Sequence, residues 1–170
     1  GKLYTQVLPL AYGSMHMVDY HAQALRALGI NDPIGEPELY LRPEDQDQGD
    51  QVLTSLQIGH APLVLLHPSA RYVDKAWPPE RFAALADWLA GQGAVVALIG
   101  HRQEVLIGQQ IFNLTKSKPR ILMGQTRLLQ LAAVMKRSAL FVGNDGGPMH
   151  MAAAVGCPVL GLFGPTDPHV

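Results

Sequence analysis

Short apolar runs alternate with helical patterns over residues 61–170. Five runs are apolar on both faces, as buried strands are: Leu63–Leu66, Ala94–Ile99, Arg120–Met123, Leu140–Gly143 and Val159–Phe163. Apolar residues recur at helical spacing in the four segments between them: Pro79–Leu89, Gln103–Phe112, Leu128–Lys136 and Pro148–Val155. The alternation predicts an α/β fold in which helices cover both faces of a Rossmann-like parallel sheet.

Residues 1–60 follow a different pattern, and we predict that they form an interdomain connector or the remnant of another domain. Their predicted elements are a strand at Leu3–Leu10, a helix at Met15–Leu28 that stops at Gly29, a short strand at Glu38–Leu41 and a helix at Asp50–Ile58. The acidic, Gln-rich stretch Glu44–Asp50 precedes the last of these. None of these pieces is expected to build a core by itself.

Composition supports a folded chain and excludes several classes of protein. Apolar residues make up 48% of the 170 residues and charged residues 16%, which excludes a disordered chain. A net charge of -1 gives no reason to expect nucleic-acid binding. The single Cys157 allows neither an internal disulfide nor a cysteine metal site, which indicates a reducing compartment. No apolar run approaches the roughly 20 residues of a membrane span.

The strongest chemical signal is Gly143–His150, which runs from a predicted strand straight into a predicted helix. With Pro148 as the first helical residue, the N–H groups of Gly147, Met149 and His150 are expected to be free at the positive end of the helix dipole. This arrangement suits an anion such as a phosphate. A tight turn that needs glycine only for packing is the alternative interpretation.

Two features of the same loop refine this interpretation. The neighbouring Gly146 and Gly147 would let a phosphate approach the backbone closely. Asp145 would repel a phosphate, so it fits better as an acceptor for sugar hydroxyls or as a turn residue. His150 either donates to a phosphate or simply packs.

A second signal is His67–Pro78, the loop after the first buried strand. It combines the hydroxyl of Ser69 with the cations of Arg71 and Lys75, a set that suits a pyrophosphate. An ordinary polar loop anchored by Trp77 is the alternative. Because ligands of α/β sheets bind beyond the carboxyl ends of the strands, both loops are expected to face one crevice.

Other function classes leave no matching motif in this sequence. It contains no Gly-x-Gly-x-x-Gly, Walker A or Gly-x-Ser-x-Gly string, which weakens the oxidoreductase, NTPase and α/β-hydrolase interpretations. The acids Asp45 and Asp47 do not continue into a calcium loop, so no metal site is predicted. Another Rossmann-type nucleotide-sugar enzyme, such as an epimerase, and a non-catalytic sugar-nucleotide-binding module remain alternatives.

Four segments, taken in this order, resemble glycosyltransferase family 9, the ADP-heptose:lipopolysaccharide heptosyltransferases. They are His67–Pro78, Leu98–Glu104, Gly143–Ala154 and Phe163–Pro168. The segment His16–Gly29 resembles the interdomain region of the family, less specifically. The resemblance implies the C-terminal, donor-binding half of a GT-B fold, in which two Rossmann-like domains face each other across a cleft.

The resemblance also implies roles for individual residues. Ser69 and Lys75 would contact the diphosphate, and Glu104 and Gln125 would lie toward the nucleoside. Asp145 would hold sugar hydroxyls. Gly146, Gly147 and His150 would form the phosphate-facing helix start. Family members commonly carry Ser or Thr where this chain has Gly146, and some carry a second hydroxyl where it has Ala70.

The implied reaction is inverting transfer of heptose from an ADP-sugar to the lipopolysaccharide core, without a cofactor or a metal. The acceptor domain, the catalytic carboxylate and a closing C-terminal helix are expected to lie outside this chain. No catalytic residue is therefore assigned, and the chain alone is expected to be inactive. The expected location is the cytoplasm, at the cytoplasmic face of the inner membrane, with no transmembrane segment.

Overall fold

The structure, a computed structural model, describes residues 7–8 and 15–165. The described residues fall into two units, one of residues 7–8 and 15–36 and the other of Pro37–Pro165. The strand predicted at Leu3–Leu10 falls almost entirely outside the described residues.

The first unit contains the helix α1 (Met17–Ala27), within the range that the periodicity predicts. His16 caps its start, because the Nδ1 atom accepts the N–H of Val18 at 3.3 Å. Gly29 follows the helix with φ +82°, the left-handed conformation that glycine adopts without strain. The stop predicted at Gly29 is therefore confirmed.

The second unit is an α/β layer structure. Its described strands are β1 (Leu63–His67), β2 (Val95–Leu98), β3 (Arg120–Ile121), β4 (Leu140–Asn144) and β5 (Val159–Leu162). Its described α-helices are α2 (Pro43–Leu56), α3 (Pro79–Gly91), α4 (Val105–Leu114), α5 (Leu128–Lys136) and α6 (Gly147–Ala154). Short 3-10 turns at Val73–Lys75 and Arg102–Glu104 follow β1 and β2.

The five strands form one sheet in the order β3-β2-β1-β4-β5, and all neighbouring pairs are parallel. Leu65 in the central strand pairs with Ala97 on one side and Phe141 on the other. The predicted parallel Rossmann-like sheet is confirmed. The chain progresses outward from β1 to β3 in one direction and from β4 to β5 in the other, so the switch point lies between β1 and β4.

Successive residues of the strands belong to different cores. Leu63 and Leu65 pack in a cluster with residues of α2, α5 and α6, whereas Val64 and Leu66 pack with residues of α3 and α4. All four side chains are buried. This explains why the strands read as continuous apolar runs, since both faces of a parallel sheet are covered.

Helix α2 begins seven residues earlier than the predicted start at Asp50 and contains the whole acidic stretch Glu44–Asp50. Asp45 accepts the backbone N–H of Arg42 at 3.2 Å and pairs with its guanidinium at 3.1 Å. Pro43 occupies the first turn, where its missing N–H has no cost. These local interactions allow polar residues with little apolar periodicity to start a helix.

The strand predicted at Glu38–Leu41 is absent, and this segment is irregular. It still packs on the unit, because Leu41 is buried and the Leu39 N–H donates to the Ala154 carbonyl at 3.0 Å. Helix α2 packs on α5, where a Cβ on Gly49 would lie 2.5 Å from the Cβ of Ala133. Residues 37–60 thus belong to the compact unit, so its edge does not coincide with the division placed at residue 60.

Candidate functional site

A cavity of about 930 Å³ opens at the carboxyl ends of the central strands. The loops after β1, β2, β3 and β4 line it, together with α5, α6 and the segment before α2. It therefore lies at the switch point between β1 and β4, where α/β sheets bind their ligands. The two loops that the sequence singles out, after β1 and after β4, both reach this cavity.

An ion pair joins these two loops. Lys75 Nζ lies 3.0 Å from Asp145 Oδ2, although the two residues are 70 positions apart in the sequence. Both side chains are partly buried, with exposed fractions of 25% for Lys75 and 16% for Asp145. Each charge therefore meets its partner in a partly desolvated position. An incoming diphosphate would compete with the Asp145 carboxylate for the Lys75 ammonium.

Two buried polar atoms at the end of β1 have no hydrogen-bond partner within the described chain: His67 Nδ1 and Ser69 Oγ. Both residues line the cavity and are more than nine-tenths buried. An unsatisfied buried polar group costs about 1–3 kcal/mol, so such a group calls for an explanation. A bound ligand or an ordered water in the cavity would satisfy it.

His67 also faces a carboxylate across this end of the sheet. Its Nε2 atom lies 3.9 Å from Glu104 Oε2, and its ring stacks near Phe141 with the ring centroids 6.4 Å apart. Burial lowers the pKa of His67 below its ordinary value of 6.5, and the nearby Glu104 offsets part of that effect. His67 is therefore neutral at neutral pH and can still accept or donate a hydrogen bond.

The start of α6 differs in part from the expected anion site. The N–H groups of Met149 and His150 both donate to the Gly146 carbonyl, at 3.1 and 3.4 Å, so the expectation that they are free is wrong. Gly147 is the first helical residue and lines the cavity. Of the three N–H groups that were expected to be free, the Gly147 N–H is therefore the one that remains available to an anion in the described chain.

The two glycines before Pro148 are not required by the backbone. Gly146 has φ 172°, which is extended backbone, and Gly147 is helical. A Cβ on Gly147 would meet no atom within 4 Å, and one on Gly146 would make only ordinary contacts at 3.9 Å or more. Neither tight packing nor an unusual φ explains these glycines. Without a Cβ, both residues leave their backbone open, so a ligand in the cavity would be able to approach it closely.

The structure brings most of the predicted site residues together. Those that line the cavity are Ser69, Arg71, Glu104, Asp145, Gly146 and Gly147. Lys75 reaches the site through its ion pair with Asp145. Gln125 and His150 are exposed and are not among the described residues that line the cavity. The Gln125 amide instead donates to the Ile121 carbonyl at 2.7 Å.

Sequence reasoning missed several residues of the site. Arg102 and Arg127 are exposed and line the cavity together with Arg71, so three arginine residues contribute to its wall. Leu131 on α5 and Met151 on α6 give it an apolar part. Both arginines lie in loops that follow predicted strands, Arg102 after Ile99 and Arg127 after Met123, and this placement could have identified them. The apolar residues carried no such signal, because they continue the ordinary core periodicity of their helices.

Asn144, the last residue of β4, is a further residue that the motif analysis passed over. It is fully buried, and its amide bonds to the loop after β1 at both ends of that loop. The signal for Asn144 in the sequence was a polar residue at the end of an apolar strand.

Across the described residues, no three His, Cys, Asp or Glu side chains cluster as a metal site would need. None of the described helices is long and apolar enough to cross a membrane.

The chain matches a known protein family. Residues 2–170 match the family described as glycosyltransferase family 9 (heptosyltransferase). The chain is 30% identical over 169 residues to lipopolysaccharide heptosyltransferase 3 of Escherichia coli strain K12. That alignment covers 98% of this chain and 48% of the relative. The chain thus spans about half the length of the curated relatives it matches.

Solved structures give the same result for the fold. A glycosyl transferase family 9 structure from Veillonella parvula DSM 2008 superposes with a TM-score of 0.89 at 27% identity, over 95% of this chain and 47% of that one. The E. coli ADP-heptose LPS heptosyltransferase II superposes with a TM-score of 0.72 at 27% identity, over 84% and 44% of the two chains.

Proposed function

Because the chain belongs to glycosyltransferase family 9, a family of GT-B enzymes, we propose that it is the donor-binding half of a heptosyltransferase. The reaction would transfer heptose from ADP-heptose to the inner core of lipopolysaccharide with inversion at the anomeric carbon. The observation that carries the proposal is the cavity at the β1–β4 switch point, where an unpartnered Ser69 hydroxyl and the Lys75–Asp145 pair meet.

In this proposal the polar end of the cavity binds the diphosphate. Ser69 Oγ has no partner within the described chain, so its hydroxyl would donate a hydrogen bond to a phosphate oxygen without breaking an existing bond. Lys75 and Arg71 add positive charge on the same loop, and the Gly147 N–H adds a donor at a helix start. These groups would stabilise the ADP leaving group as the glycosidic bond to heptose breaks.

The remaining predicted residues would orient the rest of the donor. The Asp145 carboxylate would accept hydrogen bonds from hydroxyl groups of the heptose once the diphosphate binds Lys75. Glu104 would lie toward the ribose, while the apolar part formed by Leu131 and Met151 suits a nucleobase. Gln125 and His150 are proposed as outer residues of the site, whose side chains would have to move to contact a bound donor. The general base for the acceptor hydroxyl is not assigned to this chain.

The acceptor and the location are part of the same proposal. Relatives and neighbours at 27–30% identity are named as lipopolysaccharide heptosyltransferases, which supports a lipopolysaccharide-core acceptor and favours transfer over an epimerase-like reaction. The location proposed with this acceptor is the cytoplasm, at the cytoplasmic face of the inner membrane, where the enzyme would reach a membrane-anchored acceptor. The acceptor would bind residues outside the donor cavity.

Calorimetric titration of the 170-residue chain with ADP, AMP, UDP and NAD tests the donor site directly. We expect ADP to bind at least about tenfold more tightly than UDP, and AMP to bind more weakly than ADP because it lacks the second phosphate. Equal affinity for UDP would contradict an adenosine-specific donor site, and preference for NAD would favour a dinucleotide enzyme instead.

A further inference from the structure

We propose that Asn144 is a positioning residue that fixes the loop of residues 68–77, hereafter the cation loop, over the candidate donor cavity. This inference rests on the proposed function, since positioning matters only if the cation loop binds the donor. Asn144 is not among the described residues that line the cavity, so it would act through the groups that it holds.

The amide of Asn144 bonds to both ends of the cation loop. Its Nδ2 atom donates to the Pro68 carbonyl at 2.9 Å and to the Ser69 carbonyl at 3.3 Å. Its Oδ1 atom accepts the backbone N–H of Trp77 at 3.0 Å. The side chain has no exposed surface, so these bonds form out of contact with bulk water, where they are strongest.

The groups proposed to bind the diphosphate lie between these two anchor points. Ser69, Arg71 and Lys75 all belong to the cation loop, and Asp145 follows Asn144 directly in the chain. One side chain therefore sets the distance between the loop that carries the cations and the strand end that carries the carboxylate. The 3.0 Å Lys75–Asp145 contact is a consequence of that arrangement.

Few other contacts could replace Asn144. The cation loop is exposed at Arg71 and Tyr72, and among its described residues the further anchors are the Trp77 ring against Phe82 and the Lys75–Asp145 pair. Gly164 also approaches the backbone of Asp74 and Lys75. These contacts hold the second half of the loop. At the start of the loop Pro68 and Ser69 are buried, and among the described residues the hydrogen bonds to their carbonyls come from the Asn144 amide.

Only an amide can serve at this position. Asparagine supplies a donor group for the two carbonyls and an acceptor for the Trp77 N–H at the same time. Aspartate would present acceptors to carbonyl oxygens, and leucine would leave both ends of the loop unpaired. Either change leaves buried polar groups without partners, so the loop would separate from β4 and admit water.

Two variants, Asn144→Ala and Asn144→Asp, test the proposal by two readouts on the 170-residue chain. The first readout is the ADP dissociation constant, which we expect to rise by about tenfold or more because the loop loses its preorganised geometry. The second is tryptic cleavage after Arg71 and after Lys75, followed by mass spectrometry. We expect both bonds to be cut faster than in the wild type, because local opening of the loop exposes them.

Ser138→Ala is the matched control. The Ser138 hydroxyl is also buried and donates to the Val134 carbonyl at 2.8 Å, just before the opposite end of β4. Its loss removes a buried hydrogen bond between Ser138 and the end of α5, on the side of β4 opposite Asn144. We expect a lower Tm, unchanged ADP affinity and unchanged cleavage after Arg71 and Lys75. If the Asn144 variants acted only through a general loss of stability, Ser138→Ala would also bind ADP more weakly and be cleaved faster.

Hydrogen exchange of the wild-type chain gives a second measurement that needs no variant to fold. We expect the Trp77 amide to exchange as slowly as amides of β4, although it lies in a loop, because its acceptor is the buried Asn144 oxygen. Exchange as fast as that of exposed loop amides would overturn the anchoring.

The outcomes separate this proposal from the proposed function. Weaker ADP binding together with faster loop cleavage, both absent in Ser138→Ala, supports positioning by Asn144. Faster cleavage at unchanged affinity, or lost affinity without faster cleavage, overturns it. If the wild-type chain binds no ADP, the proposed function fails, and the cleavage and exchange measurements still decide whether Asn144 holds the cation loop.

Discussion

At the scale of single residues, the Lys75–Asp145 ion pair is the contact that the proposed donor binding would change. Lys75→Ala removes the ammonium proposed to meet the diphosphate, and a charge-assisted bond contributes about 1.5–3 kcal/mol. We expect ADP affinity to fall about ten- to a hundredfold in a calorimetric titration, with a small change in Tm. Arg137→Ala is the control, because it breaks the exposed Arg137–Asp50 pair outside the cavity. Equal ADP affinity in wild type and Lys75→Ala would remove Lys75 from the site.

The Asp145 carboxylate should act differently on the sugar and on the nucleotide. Asp145→Asn keeps the shape of the side chain, removes its charge and frees Lys75 from a strong ion pair. We expect affinity for ADP-heptose to fall about tenfold, through lost bonds to sugar hydroxyls, while affinity for ADP does not fall. The exposed Asp50→Asn should change neither value. Parallel loss of both ligands would show that Asp145 does not recognise the sugar.

His67 should make stability depend on pH. Burial lowers its pKa in the folded chain below the ordinary 6.5, so the unfolded chain binds more protons in that interval. The free energy of unfolding should therefore decrease as the pH is lowered from about 6.5 toward the folded pKa. Melting curves between pH 7.5 and about 5 check this sign. In His67→Gln the decrease should be smaller, whereas the exposed His60→Gln should keep the wild-type profile.

At the scale of elements, glycines in two helices have opposite surroundings. A side chain on Gly147 at the start of α6 would enter open space, whereas one on Gly49 in α2 would collide with Ala133 in α5. Gly147→Val should abolish or strongly weaken ADP binding at nearly unchanged Tm. Gly49→Val should cost about 1–3 kcal/mol of stability by overpacking and leave ADP affinity intact. Calorimetry and thermal melting on both variants check this crossed pattern, and a lower Tm in Gly147→Val would assign that glycine to the turn.

At the scale of the whole molecule, all described residues that line the candidate donor cavity belong to the second unit. Its lining residues run from Glu38 to Ala154, and the chain spans about half the length of its curated relatives. Donor binding and acceptor activation are thus expected on different parts of the whole enzyme. A donor half can preorganise its ligand without the base that activates the acceptor.

The 170-residue chain should accordingly bind ADP and transfer no heptose. Mass spectrometry of a lipopolysaccharide-core acceptor, incubated with ADP-heptose and the purified chain, should detect no added heptose. Addition of heptose by this chain alone would show that it carries its own base. An ADP titration on the same sample controls for a properly folded donor site.

Local pattern accounts for most of the sheet. The β1 and β4 strands and the α5 helix lie where the apolar periodicity predicts them, because burial on one or both faces leaves a regular record in the sequence. The early start of α2 is not marked by apolar periodicity in the sequence. It depends on Asp45 bonding back to Arg42, a polar interaction that hydrophobic periodicity does not report.

Residue pattern and motifs are sufficient to predict the fold class, the family resemblance and the two loops that reach the cavity. How those loops meet depends on the packing of the folded chain. Lys75 and Asp145 are 70 residues apart, and Asn144 bonds to residues 67 to 76 positions away. Such pairs form only because the sheet order sets β1 beside β4, and strand order is a property of the packed chain. Local periodicity predicts each strand, but it carries no information about which strand becomes its neighbour.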